Sequence, residues 1–177
     1  MSSRKPDTAE HEEKCERCGI SCRAAIKLSD GRQVVIEDLH CVHLEETGDG
    51  SYGCAVYEAR FEKAHWCLHS TEAVRLGALR AGCPYSVQGA SSGKERVGED
   101  EYGKLWPEIA TLLLTTSDLN PNFTWKQFVK AATRRERGLH WRVDFNAPKT
   151  AVRLSRLPTL WNTMKGRLGL AGGAEGE

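Results

Sequence analysis

Seven cysteines fall between residues 15 and 83 of a 177-residue chain, and the 94 residues that follow contain none. Three of them, Cys15, Cys18 and Cys22, crowd the stretch "CERCGISCR"; the others are Cys41, Cys54, Cys67 and Cys83. An odd number of cysteines leaves at least one thiol unpaired within a chain. The opening "MSSRKPDTAEHEEK" lacks the apolar core of a secretory signal, so a cytoplasmic, reducing location is expected and a disulfide framework is not. Thiolate sulfur suits zinc and iron–sulfur clusters. The C-x2-C spacing of Cys15 and Cys18 lets two sulfurs of one turn reach one ion, and Cys22 offers a third. Glu16, Arg17 and Arg23 mark this stretch as a surface loop, not a core segment where cysteine serves as a small hydrophobe. That bland role suits Cys67 or Cys83 better, each taken singly.

Ligand arithmetic shapes the metal reading. Seven cysteines exceed one tetrahedral site and fall one short of two, so His43, His65 and His69, each near a cysteine, are candidates for the remaining position. The leading arrangement places Cys15, Cys18 and Cys22 with one of Cys41 or Cys54 around a principal ion. A closed site of four thiolates has no open coordination position and stabilises a fold without doing hydrolysis. In a domain of about 70 residues such an ion decides whether the chain folds at all. Structural zinc leads; an iron–sulfur cluster used for redox or sensing is the alternative. A ten-residue helix between Cys67 and Cys83 would span about 15 Å and hold those two apart unless both flanking loops fold back.

Along the chain, Asp30-Gly31 reads as the two-residue turn of a β-hairpin, with Val34, Val35 and Ile36 on the far strand. Such a hairpin starts beside Cys22 and ends beside Cys41, which brings ligands distant in sequence together. A Gly-Asp-Gly loop separates Cys41 from Cys54, and a short strand or turn is expected at Val56-Tyr57. Ser70 or Thr71 caps a short helix with Ala73, Leu76 and Leu79 inward, closed by Gly82. Residues 88–104 are Gly, Ser and charge, and read as a linker or exposed loop. A helix then opens near Pro107, and a second runs from the Thr124/Gln127 capping box to Gly138, with Trp125, Phe128, Val129 and Ala132 on one face. "LHWRVDF" alternates as a strand does. Residues 151–168 are apolar and basic, broken at Pro158.

With 40% hydrophobic and 28% charged residues, the composition is that of a globular chain. The expected fold class is α+β: a small cysteine-rich, metal-stabilised domain with a β-hairpin over 15–87, then a mostly helical basic segment over 105–168. Residues 1–14 and 169–177 are expected to be disordered. No apolar run approaches the roughly 20 residues that span a bilayer.

The formal net charge of +1 conceals an asymmetry. Residues 1–118 carry a net −6, whereas residues 119–168 carry a net +9, with only Glu136 and Asp144 acidic. Basic residues interleaved with Phe123, Trp125, Phe128, Trp141, Phe145 and Trp161 could meet phosphates and unstacked bases. Core packing is the stronger reading for the aromatics, because Trp125 and Phe128 share a helix face and Trp141 and Phe145 a strand face. The partners left open are therefore a metal ion, an acidic protein surface or a nucleic acid through residues 119–168. No helix-turn-helix, RNP-like or KH-like pattern accompanies the charge. "GDGSYG" and "GASSGK" lack the spacing of phosphate-cradling loops. A Cys–His catalytic pair, Cys67 with His65 or His69, is a minor option, so an enzyme is the less favoured class.

The pieces "CERCGISCR", "CVHL", "CAVYEARF", "HWCL" and "AGCPYS", taken in order over residues 15–85, resemble the YkgJ-type and YcgN-like cysteine-cluster family. The resemblance covers about two-fifths of the chain and includes the C-x-V-Y-x-x-R block at Cys54–Arg60. It implies chelation of zinc or iron by the seven cysteines and supplies no reaction. Family members commonly close the first motif with adjacent cysteines, whereas here Ser21 precedes Cys22, so the implied ligand set is one short.

Overall fold

The computed structural model describes residues 14–86, 93–117, 119–146 and 151–159, in two compact units divided between Ile109 and Ala110. The mixed α+β class holds, with small sheets and four helices among the described residues. The expectations for residues 1–13, for 88–92 and for everything beyond 159, Trp161 included, lie outside them.

In the first unit, β1 (Arg23–Lys27) and β2 (Gln33–His40) form the expected antiparallel hairpin. Its turn is one residue longer than the dipeptide suggested. The Leu28 N–H donates to Arg32 O at 2.9 Å and the Gly31 N–H to Leu28 O at 3.0 Å, so Ser29, Asp30 and Gly31 together make the loop. Gly31, at φ +91°, takes the left-handed position that this three-residue loop requires. The pairing shifts register between Arg23 and Ala25, and below the shift Arg23 faces His40. The next step closes the hairpin base: the Cys41 N–H donates to Cys22 O at 2.8 Å.

Val34, Val35, Ile36 and Leu39 of β2 are all buried. Consecutive buried residues belong to a strand covered on both faces, and β2 is the central strand of its three-stranded sheet. The third strand, β5 (Lys94–Glu95), runs parallel to β2 inside the stretch that composition marked as linker or loop. A second small hairpin joins β3 (Leu44–Glu46) to β4 (Tyr52–Cys54). Of the strand or turn expected at Val56-Tyr57 the structure has the turn: a 3-10 turn (Tyr57–Ala59) leads into α1 (Arg60–Lys63). The next helix, α2 (Ser70–Arg75), has His69 at its N-cap and stops at Gly77, φ +64°, earlier than expected from Gly82. Ala73 and Leu79 are buried as the spacing implied, but Leu76 falls at the helix end and is 52% exposed.

Helix α3 (Glu99–Thr115) begins well before Pro107, which lies in its interior. Glu99, Asp100 and Glu101 occupy its first turn, where carboxylates complement the helix dipole. Those charges were the reason the stretch read as loop. Tyr102, Trp106, Ile109, Ala110 and Leu113 form its buried stripe at helical spacing.

The second unit contains α4 (Trp125–Arg135), β6 (Leu139–Asn146) and β7 (Ala151–Pro158). The helix is where Thr124 and Gly138 placed it, although the Thr124 side chain makes no capping hydrogen bond. Gly138 leaves it at φ +84°. β6 and β7 pair in unbroken antiparallel register from Leu139↔Pro158 to Asn146↔Ala151. Over 105–168 the helical part consists of the end of α3 and all of α4, and the β6–β7 hairpin adds two eight-residue strands to it. In "AVRLSRLP", Val152 and Leu154 are buried and Arg153 is exposed, a period of two that its mixture of apolar and basic residues disguised. Trp125, Phe128, Ala132, Trp141, Val152 and Leu154 make the core, and Phe128 meets Trp141 edge to face at 5.7 Å.

Candidate metal centre

The first unit carries its thiols on separate structural pieces. Cys22 ends the knuckle before β1, Cys41 follows β2, Cys54 ends β4, Cys67 follows α1, and Cys83 follows the segment that bridges to β5. None of the seven is in a disulfide; Cys41 is buried, Cys15 exposed and the others half-buried.

Local backbone bonds draw the pieces inward. The hairpin base joins Cys41 to Cys22, the Leu44 N–H donates to Cys41 O at 3.1 Å, and Leu44 pairs with Cys54. The Ala64 N–H donates to Arg60 O, and the Cys67 N–H to Ala64 O at 2.7 Å, which curls the chain after α1. Burial pushes the Cys22 thiol up to about 11; the Ser21 hydroxyl opposes this, and the nearby Cys41, Cys67 and Cys54 thiols add to it. Burial also raises the Cys67 thiol, against the Arg60 guanidinium and with the Cys54 and Cys41 thiols. Cys22 and Cys67 each thus lie within electrostatic reach of Cys41 and Cys54.

Cys15 and Cys18 lie near Cys83. Burial raises the Cys83 thiol, and the sulfurs that add to the rise are Cys18 and Cys15. The turn between Cys18 and Cys22 is tightly constrained. Gly19 turns at φ +68° against the Tyr52 ring, where an added Cβ would stand 2.7 Å from the ring carbon Cγ. Ile20 is buried, and the chain emerges from it with Cys22 at the hairpin base. Among the described residues, no group of three or more Cys, His, Asp or Glu side chains is arranged to hold a metal ion.

The three candidate histidines sit against aromatic rings. His43 stacks on Trp66 at 6.2 Å, His65 meets Trp66 edge-on at 4.9 Å, and His69 stacks on Phe61 at 4.5 Å.

Two cations near the thiols were not singled out from sequence. Arg60 is buried, lies over the Tyr57 ring at 4.0 Å and the Phe61 ring at 4.5 Å, and donates to Tyr57 O at 3.0 Å. Its place in the C-x-V-Y-x-x-R block was the available signal. Lys94 sends its Nζ to the carbonyls around Cys22, and the Gly/Ser-rich composition before it gave no hint.

In the basic unit, Trp125, Phe128 and Trp141 are buried and unavailable for base stacking, whereas Phe145 is 53% exposed. Arg142 pairs with Asp144 at 2.9 Å, and Arg156 with Glu136 at 3.0 Å. No helix among the described residues is long and apolar enough to cross a membrane.

Comparison with known proteins returns no matching family model, no matching curated protein and no matching solved structure.

Proposed function

We propose that the first unit is a metal-binding module in which Cys22, Cys41, Cys54 and Cys67 hold one ion and Cys15, Cys18 and Cys83 form an adjoining thiol group. The observation that carries this reading is that backbone pairing gathers thiols of separate segments around the hairpin base: the Cys41 N–H bonds Cys22 O, Leu44 beside it pairs with Cys54, and Cys22 and Cys67 each stand near Cys41 and Cys54. Free cysteines kept as small hydrophobes have no need to gather across segments, whereas a shared ion does require it. Binding draws the four sulfurs from electrostatic reach into one coordination sphere by rotation about their side-chain bonds. The reading agrees with the likeness to the zinc- or iron-chelating cysteine-cluster family.

Zinc is the leading ion, because a closed set of four thiolates is a structural zinc environment. Its role is to join β2, β4, the knuckle and the segment after α1, so that the module presents one rigid surface for interaction. Metal and acid-labile sulfide analysis of protein purified without oxygen tests the proposal. Zinc bound without sulfide, together with a large loss of thermal stability on chelation, is the expected result. Iron with sulfide and broad visible absorbance would replace it with the redox or sensor reading. Protein that binds neither metal and unfolds identically with and without chelator would reject it.

A further inference from the structure

Lys94 is held by its backbone on both sides. It pairs with Gln33 of β2, its N–H donates to Leu79 O at 2.7 Å, and its carbonyl accepts the Ala81 N–H at 2.9 Å. The preceding Gly93 permits this approach: an added Cβ would stand 2.6 Å from Ala81 N and 2.8 Å from Ala81 Cα. Both are backbone atoms that no rotamer change can remove. From this anchored position Nζ donates to Ser21 O at 3.1 Å and Arg23 O at 2.6 Å, the carbonyls on either side of Cys22, and reaches Ile20 O at 3.5 Å.

The ammonium of this half-buried side chain meets the carbonyl oxygens of Ser21, Arg23 and Ile20 and no carboxylate among the described residues. A cation drawn out of water and facing only dipoles is costly unless a negative charge stands near it. Four thiolates around a divalent ion carry two negative charges in excess, which is the charge this position lacks.

We propose that Lys94 is the positioning residue and counter-cation of the Cys22, Cys41, Cys54, Cys67 group, pinning the Cys22 knuckle through its carbonyls and offsetting the excess charge of the bound thiolates. The inference rests on the metal-binding reading above. It gives β5 a role, which is to carry one ammonium across the sheet to the knuckle.

The test uses the reduced full-length chain titrated with Zn²⁺ against a chromophoric chelator, and with Co²⁺ followed by its thiolate charge-transfer band. Lys94→Met should weaken Zn²⁺ binding by about tenfold or more, the usual effect of losing an outer partner of a metal site. Lys94→Arg should restore most of the affinity, and Lys126→Met, an exposed change on α4, should leave it within about twofold. The Co²⁺ band at saturation should be as intense in Lys94→Met as in wild type, since the sulfurs are unchanged. Equal Zn²⁺ affinity in Lys94→Met and wild type, or no recovery with arginine, would overturn the role of Lys94 alone. A wild-type chain that takes up neither ion would overturn the metal reading and this inference with it. Should Lys94→Met fail to fold, acylation of wild-type Lys94 by an amine-reactive ester, measured against Lys126, decides. It should slow by about tenfold on Zn²⁺ loading, and an unchanged rate would reject the proposal.

Discussion

At the residue scale, two glycines that look alike in sequence carry different constraints. Gly31 has nothing within 4 Å of an added Cβ and is constrained only by its φ of +91°. Gly31→Ala should cost about 1–2 kcal/mol, the strain of a left-handed alanine. Gly93→Ala drives a methyl into the Ala81 backbone and should cost more, at or above the upper end of the ~1–3 kcal/mol typical of overpacking. Urea midpoints of the two variants check the order, and a smaller loss for Gly93→Ala would contradict the close approach. Asp49 supplies a pH prediction. The Ser51 hydroxyl first, then the Thr47 hydroxyl and the Ser51 N–H, hold its carboxyl well below the usual carboxylate range. A depressed folded value stabilises the loop fully above the ordinary carboxyl range and fades as pH falls toward the depressed value. The Asp49 side-chain carbon should therefore titrate at lower pH than an unstructured aspartate, and an ordinary midpoint would show the loop open.

At the element scale, α4 and β6 were legible because each repeats one period over enough residues to be read without knowing its neighbours. The β1–β2 hairpin was legible from Asp30-Gly31, though the full loop was not, since glycine at positive φ serves two-residue and three-residue turns alike. The stretch over 93–104 was opaque. β5 is two residues long, and its strand character comes from β2 and the segment at 79–81, not from its own side chains. Helix α3 opens with acidic residues that look like loop until the dipole they cap is present. In the second unit, Trp141 is fully buried against Phe128, and its backbone N–H donates to Thr133 Oγ1 at 3.1 Å. Trp141→Ala should destabilise the chain by about 3–5 kcal/mol, read as a lower unfolding midpoint with loss of the near-ultraviolet aromatic signal. A loss below about 1 kcal/mol would place the core elsewhere.

At the scale of the whole molecule, the proposed metal reading divides the cysteines into two sets with separable consequences. Replacing any one of Cys22, Cys41, Cys54 or Cys67 by serine should remove the stabilisation that chelator also removes, because three thiolates leave the ion open. Cys15→Ser, Cys18→Ser and Cys83→Ser should spare that ion and alter only a second equivalent of metal. Metal stoichiometry and melting temperature of the seven single variants, each with and without chelator, decide the matter. If Cys15→Ser and Cys18→Ser abolish the primary ion while Cys67→Ser does not, the partition drawn from the folded chain is wrong and the tight knuckle is itself the site.

The kinds of chemistry open to this chain follow from its sequence alone, since the number and spacing of its thiols bear on ligand type whatever the fold. So do the charge asymmetry and the elements with a long, clean period. Only the tertiary structure decides which thiols of separate segments come together, because the hairpin base bonds Cys41 to Cys22 and the β3–β4 pairing sets Cys54 opposite Leu44. Lys94 is likewise invisible until β5 pairs, for its reach to the knuckle depends on where two other segments hold its backbone.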